Sequence, residues 1–255
     1  MVKYMVMFYF SGTGNSKYVA ELFAGEMGAK CHSIEESIDF ETLIDTNEVI
    51  AFSYPVYMSR VPRIMRKFVE RHKSRFKNKK IIIFCTQLLL SGDGARAFAA
   101  MFPKDYINLI YAEHFFMPNN VSNVFILPMT SEKKVERCLV TARRKMQSVC
   151  NDIRNGRIKK RGFNVFSRGL GLIQGVFLSA VEKKANNYVG ITSDCTNCRL
   201  CVSSCPTGNL IYENGRITHK HDCTMCYRCI NTCPAKAITI VFPGKVKKQY
   251  ILNAK

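Results

Sequence analysis

The sequence contains no tryptophan, and its 19 acidic residues face 38 lysines and arginines. The resulting charge of +19 excludes an acidic surface; it bears on solubility and partners, not on fold. Both halves are basic: residues 1–156 carry 22 Lys/Arg and 15 Asp/Glu, residues 157–255 carry 16 and 4. Long hydrophobic runs are also missing. The most apolar region, 165–181, is interrupted by Arg168, Gln174 and three glycines, a poor transmembrane segment. No secretory signal precedes the strand pattern that begins at Val2. These absences lead to the expectation of a soluble, cytoplasmic protein. Two familiar phosphate loops are lacking as well. The pattern G-x-x-x-x-G-K-[ST] is absent, and G-x-G-x-x-G fails because Gly12 and Gly14 are followed by Lys17. No recognition motif or aromatic platform points to nucleic acid.

What is present is a globular composition, 47% hydrophobic, long enough for one large domain or two modest ones. The first part alternates strand and helix patterns. Val2–Phe10, Glu48–Tyr54, Lys80–Thr86 and Tyr106–Phe116 read as strands, the first three nearly continuous apolar runs of the kind buried on both faces. Val19, Leu22, Phe23 and Met27 recur at helical spacing, with Gly28 as a C-cap. Pro62 suits the first turn of a helix reaching about His72, and Ala95–Phe102 reads as another. A long amphipathic helix carries Val135, Cys138, Leu139, Ala142, Met146, Val149 and Ile153 on one stripe and ends at Asn155-Gly156. This alternation predicts an α/β fold, a doubly wound parallel sheet covered on both faces, over residues 1–156. Residues 157–190 read as a basic, partly helical connector, with an interfacial membrane helix as the alternative. Residues 191–255 form a small cysteine-rich α+β unit with a basic surface tail from Phe242. Within that unit, Asn214-Gly215 between two short strand patterns marks a hairpin over Ile211–Thr218.

Eight of the twelve cysteines lie between Cys195 and Cys233. They form two copies of one pattern, 28 residues apart: Cys195-x2-Cys198-x2-Cys201-x3-Cys205-Pro206 and Cys223-x2-Cys226-x2-Cys229-x3-Cys233-Pro234. Zinc sites use paired Cys-x-x-Cys units, and disulfides need an oxidising compartment. The repeat resembles that of bacterial two-cluster ferredoxins, in which three thiolates wrap one cube and the fourth ligates its neighbour. Cys195, Cys198, Cys201 and Cys233 would then hold one [4Fe–4S] centre, and Cys223, Cys226, Cys229 and Cys205 the other. Arg199 and Arg228, in the gaps, would favour the reduced clusters, or else be solvated. Cys31, Cys85, Cys138 and Cys150 read as buried thiols outside the clusters.

Between the first strand and first helix lies Phe8-Tyr-Phe-Ser-Gly-Thr-Gly-Asn-Ser-Lys17. Ser11, Thr13, Gly14 and Ser16 match [ST]-x-T-G-x-[ST]. Hydroxyls of Ser11, Thr13 and Ser16 and the amides of Gly12 to Ser16, Asn15 included, can converge on a phosphate monoester at the positive end of a helix dipole. An ordinary helix cap is the plainer reading.

With "FSGTGNS", "SYPVY", "SGDGA", "MPNN" and both cysteine runs, nearly the whole chain resembles the flavodoxin-like/ferredoxin fusions of the EFR1 type. The resemblance implies a flavodoxin-like domain binding FMN and a C-terminal two-cluster ferredoxin domain. It implies that Pro55, Val56 and Tyr57, with Met58, line the isoalloxazine, Tyr57 as stacking candidate. Thr86, Gln87, Ser91, Gly92, Asp93 and Gly94 would supply contacts to the ring. Leu88–Leu90 stand where an aromatic often covers it. The loop Met117–Asn120 would border the flavin or a substrate, or be a simple turn; His114 reads as structural. The basic run from Arg60 to Lys80 would be a solvated surface or a docking face for an acidic redox carrier. The function implied is electron transfer between FMN, two [4Fe–4S] clusters and an external partner of ferredoxin or flavodoxin type. An FMN-dependent reductase of a small-molecule acceptor is the alternative, and a sensor without turnover a third.

Overall fold

The computed structural model describes residues 4–89, 92–124, 127–244 and 246–252. Ser91, one of the ring-contact candidates, lies outside them. The first part runs β1 (Met5–Tyr9), α1 (Asn15–Met27), β2 (Lys30–Ser33), α2 (Phe40–Asp45), β3 (Val49–Pro55), α3 (Arg63–Arg71), β4 (Lys80–Gln87), α4 (Gly94–Ala99), β5 (Asn108–Phe116), α5 (Glu132–Arg154) and β6 (Lys159–Lys160). The six strands form one parallel sheet in the order β2-β1-β3-β4-β5-β6. It is the doubly wound, flavodoxin-like arrangement.

Alternate strand residues enter opposite layers, as the two-residue pleat requires. Val6 and Phe8 of β1 join Phe52, Met65, Phe68 and Phe98 on the face covered by α3 and α4. Met5 and Met7 join Val19, Phe23, Phe84, Met146 and Val149 on the face covered by α1 and α5. The order reverses between β1 and β3, and this switch point opens the crevice at the carboxyl ends of the strands. The loops after β1, β3, β4 and β5 all meet there.

β6 shows that the sheet extends past residue 156 into the expected connector. Its neighbour Glu113 is buried in β5 and takes Lys145 at 3.0 Å, Lys159 at 2.7 Å and Arg161 at 3.4 Å. Burial opposes the charge, but Lys159, the His114 amide and Lys145 hold the Glu113 carboxyl below its usual range.

The remainder runs α6 (Val165–Asn187), β7 (Val189–Ile191), α7 (Leu200–Ser203), β8 (Leu210–Glu213), β9 (Arg216–His219), α8 (Arg228–Thr232) and β10 (Ile238–Ile240). Within the expected connector, residues 165–187 form one continuous helix; Asn164 caps it, accepting from Ser167 N–H at 2.7 Å. β7 and β10 pair antiparallel, as do β8 and β9, with Asn214 and Gly215 both at positive φ in the hairpin turn. The tail after Phe242 is not merely surface. Val246 is buried, Gln249 donates to the carbonyls of Ile230 and Cys233, and Leu252 N–H reaches Thr13 O at 2.8 Å.

Candidate functional site

The loop after β1 is built to be tight and polar. Gly14 sits at φ 99, and its N–H bonds Ser11 Oγ at 3.1 Å, closing the turn just before α1 begins. Ser11, Thr13 and Ser16 are buried, an expensive place for hydroxyls unless they meet polar partners. Ser16 Oγ lies 2.7 Å from Thr86 Oγ1, and Asn120 Nδ2 donates to Thr13 Oγ1 at 3.0 Å. Asn15 donates to Pro118 O at 2.9 Å and accepts from the Tyr250 hydroxyl at 2.8 Å. The loops after β1, β4 and β5 and the C-terminal tail are thus tied into one wall.

A single cleft is lined by Ser11, Gly12, Thr13, Asn15 and Ser16 at one end. Pro55–Met58, Thr86–Leu88 and Met117–Val121 continue it. A cluster of buried hydroxyls at a helix N-terminus, followed by a mostly apolar slot, fits a phosphate-bearing planar ring. The far wall holds residues that sequence reasoning missed: Leu178 and Val181 of α6, Met225, Tyr227, Val241 and Phe242. They lie more than 50 positions from the nearest loop residue they face, so no local pattern marks them.

Of the ring candidates, Pro55, Val56, Tyr57, Thr86 and Gln87 line the cleft. Gly92, Asp93 and Gly94 do not; they secure α6 and the neighbouring loop. Asp93 is fully buried, paired with Arg60 at 3.2 Å and with Arg96 Nε at 2.8 Å. Gly171 of α6 packs directly on the Asp93 carboxylate, Gly175 on the Arg60 guanidinium, and Gly94 against Val56. Ser59 joins the same seam, hydrogen bonding Gln174 and accepting from Gly92 N–H at 2.6 Å. Met58 and Ser59 both adopt positive φ in a turn closed by reciprocal Tyr57–Arg60 backbone bonds. That is a strained backbone for side chains with a Cβ, held in place by α6.

Tyr57 is packed with Leu178, Met225 and Val241. Burial drives its hydroxyl well above the usual range, and the thiols of Cys226 and Cys223 add to the effect, so it stays protonated. It therefore stands between the cleft and the second cysteine run.

The two cysteine runs are geometric as well as sequence repeats. Asn197 and Arg199 have φ of 54° and 62°; their counterparts 28 residues on, Met225 and Tyr227, have 56° and 60°. Asn209 N–H points to Cys205 Sγ at 3.3 Å, and Ala237 N–H to Cys233 Sγ at 3.4 Å, again 28 apart. Left-handed turns of this kind curl the chain around a centre, and N–H···S bonds stabilise thiolate ligands. Burial pushes the Cys201 thiol up to about 11, with Cys233, Cys195 and Cys198 adding to the rise. Cys229 is raised by burial and then by Cys226, Cys223, Cys205 and Cys201. The thiols of the two runs therefore lie close to one another. Among the described residues no three His, Cys, Asp or Glu side chains converge closely enough for a single ion. A four-iron cube spreads its ligands more widely, so the donors fit it.

The second run lies against the phosphate-type loop. The Cys226 carbonyl fills the space that a side chain on Gly12 would need. Arg228 donates to Ser11 O at 2.8 Å, Gly12 O at 3.2 Å and Ser204 O at 3.0 Å, and pairs with both oxygens of Glu35. It is a clasp between the two parts, not a solvated cation. Arg199 lies over the Tyr212 ring at 3.9 Å, and Cys198 is exposed.

Most of the basic run Arg60–Lys80 is engaged inside the molecule. Arg63 pairs with Asp222 at 2.9 Å, Arg66 with Glu182 at 2.7 Å, and Arg75 with Glu41 and Asp45. His114, held to about 4 by burial and then by Arg161, is neutral and packs against Gly162.

A family model described as a flavodoxin domain matches residues 6–126, and one described as a 4Fe-4S dicluster domain matches residues 194–238. No curated protein matches the chain. Among solved structures, a flavodoxin, WrbA-like protein from Agrobacterium tumefaciens is 24% identical over 60% of this chain and 98% of its own, with TM-score 0.41. General stress protein 14 from Treponema denticola, solved in complex with FMN, is 11% identical over 58% and 98%, TM-score 0.43. The two-electron reduced flavodoxin of Megasphaera elsdenii is 18% identical over 55% and 98%, TM-score 0.39.

Proposed function

We propose that this chain, which joins a flavodoxin domain to a 4Fe-4S dicluster domain and is thereby an electron-transfer flavo-iron–sulfur protein, exchanges electrons between FMN, two [4Fe–4S] clusters and an acidic protein carrier. When bound, FMN accepts one or two electrons and each cube one, so the chain can join one-electron carriers to a two-electron site.

The observation that carries this reading is the contact between the second cysteine run and the flavin loop. Cys226 lies on Gly12, and Tyr57 lies between that run and the cleft. Cys205, Cys223, Cys226 and Cys229 would hold the inner cluster, and Cys195, Cys198, Cys201 and Cys233 the outer one. Ser11, Thr13, Ser16 and the Gly12–Ser16 amides would hold the FMN phosphate. Cys198 is exposed at the outer set, and Arg216, Lys220 and Lys236 are exposed cations of the same unit. That end suits the carrier better than the Arg60–Lys80 run, whose charges are largely neutralised within the chain. Twelve cysteines without a disulfide among them suit a cytoplasmic, reducing compartment.

The test is anaerobic purification followed by flavin and iron analysis and mixing with a reduced ferredoxin. About eight irons and one FMN per chain are expected. Cys198→Ala should leave FMN binding intact and slow flavin reduction by the ferredoxin at least tenfold. Four irons in the wild type, or unchanged transfer in the variant, would overturn the two-cluster relay.

The apolar far wall of the cleft favours a second reading, a reductase of a small molecule held against Leu178, Val181 and Phe242. Rapid turnover of one acceptor without any protein carrier would establish it.

A further inference from the structure

α6 has two faces of opposite character. One is bound to the rest of the chain through polar and close contacts: Gly171 on Asp93, Gly175 on Arg60, Gln174 with Ser59, and Glu182 with Arg66. The other presents Val165, Phe166, Leu172, Ile173, Val176 and Phe177 to solvent. Val165 and Phe166 are 83% and 82% exposed and Val176 73%. At 100° per residue these six, with Gly169 between them and Ala180 beyond Phe177, make one stripe over roughly 22 Å of helix. An apolar surface of this size does not stand alone in water without a partner.

Charge distinguishes among the partners. Residues 157–187 hold a single carboxylate, Glu182, and it points inward to Arg66. Before the stripe Lys159 and Arg161 pair with Glu113 and Arg157 with Asp152, while Lys160 is exposed; the exposed Arg168 stands beside the stripe, and Lys183 and Lys184, the latter over the Phe242 ring, close it. An apolar stripe with cations at both ends is the pattern of a helix lying in the headgroup region of an anionic bilayer. Lysine stems follow the apolar surface while their ammonium groups reach phosphate. A second copy of the chain would set like charges against like. The helix is long and apolar enough to cross a membrane, with a mean hydropathy of 1.2. Crossing would carry the Asp93–Arg60 and Glu182–Arg66 contacts into hydrocarbon, where they are costly.

We propose that the solvent face of α6 docks on an anionic lipid surface, seating the protein peripherally with the helix parallel to the membrane. The flavin cleft is then close to the membrane, since Leu178 and Val181, on the inner side of the same helix, line it.

The test uses the FMN- and cluster-loaded protein with vesicles of phosphatidylcholine, alone or mixed with phosphatidylglycerol. Co-sedimentation with the mixed vesicles and not the neutral ones is expected, weakening as salt rises. Phe166→Glu/Ile173→Glu should weaken it at least tenfold with flavin and iron content unchanged, because both side chains are exposed. Lys160→Glu/Lys183→Glu should reduce the salt dependence. The chain has no tryptophan, so Phe177→Trp provides a depth reporter whose emission should shift to the blue on the mixed vesicles. Absence of binding, equal binding to neutral vesicles, resistance to alkaline extraction, or a lipid-free dimer dissolved by Phe166→Glu/Ile173→Glu would each overturn the proposal.

Discussion

The carbonyl oxygen of Cys226 occupies the place where Gly12 would carry its Cβ. The loop after β1 and the second cysteine run thus approach as closely as two backbones can, and glycine is what permits it. Gly12→Ala is expected to push the two apart. FMN affinity should fall at least tenfold, followed by flavin fluorescence quenching, and the iron–sulfur absorption should change in the same variant. Unchanged flavin binding would show that the contact is incidental.

Arg228 makes five hydrogen bonds to two parts of the chain, three of them to carbonyls that hold the flavin loop and α7. Its planar fork matches Glu35, and a lysine cannot reproduce that geometry. Arg228→Lys should therefore fail to rescue Arg228→Ala. Both partners retain about a fifth of their exposure (22% and 21%), so the cost is discounted to about 1–3 kcal/mol in chemical denaturation.

Asp93 binds two guanidiniums and supports Gly171 of α6. Asp93→Ala removes the carboxylate but leaves arginines that reach water, so a loss of about 2 kcal/mol is expected. The clearer readout is limited proteolysis, which should cut within residues 157–187 in the variant before it does so in the wild type. Gly171→Val should give the same pattern from the other side of the seam.

His114 faces Arg161 and Lys145 as well as Glu113, and burial with the two cations holds it to about 4 against an ordinary 6.5. Above pH 6.5 the imidazole is neutral in folded and unfolded chains alike. Below it the unfolded chain gains a proton that the folded chain resists, so stability falls as pH drops from 6.5 towards 4. Glu113, held below its usual 4.5, adds its loss only at still lower pH. Urea midpoints at pH 7 and pH 5 should differ, and His114→Asn should flatten that difference.

Strands with continuous apolar runs were legible because burial on both faces demands them: Lys80–Gln87 and Val49–Pro55 lie where expected. Lys30–Ser33 was not, because an edge strand of four residues needs no apolar pattern. The same holds for Lys159–Lys160, whose place in the sheet depends on Glu113. The cysteine spacing and the Ser11–Ser16 loop stand out in the sequence as local patterns, whereas the distant partners of the loop, Thr86, Pro118, Asn120 and Tyr250, do not. The use of Gly171 and Gly175 was not, since each is defined by a charged side chain more than 75 positions away. The basic run from Arg60 was visible, but two of the carboxylates that absorb it, Asp222 and Glu182, lie more than 110 positions further along the chain.

The Tyr250 hydroxyl holds Asn15, 235 positions earlier, and Leu252 N–H holds Thr13. A ribosome therefore releases the first loop long before it makes the residues that finish that loop. That loop is complete only once Tyr250 and Leu252 have been made. An insertion just after Leu252 would be felt at the loop after β1 and not merely at a remote surface.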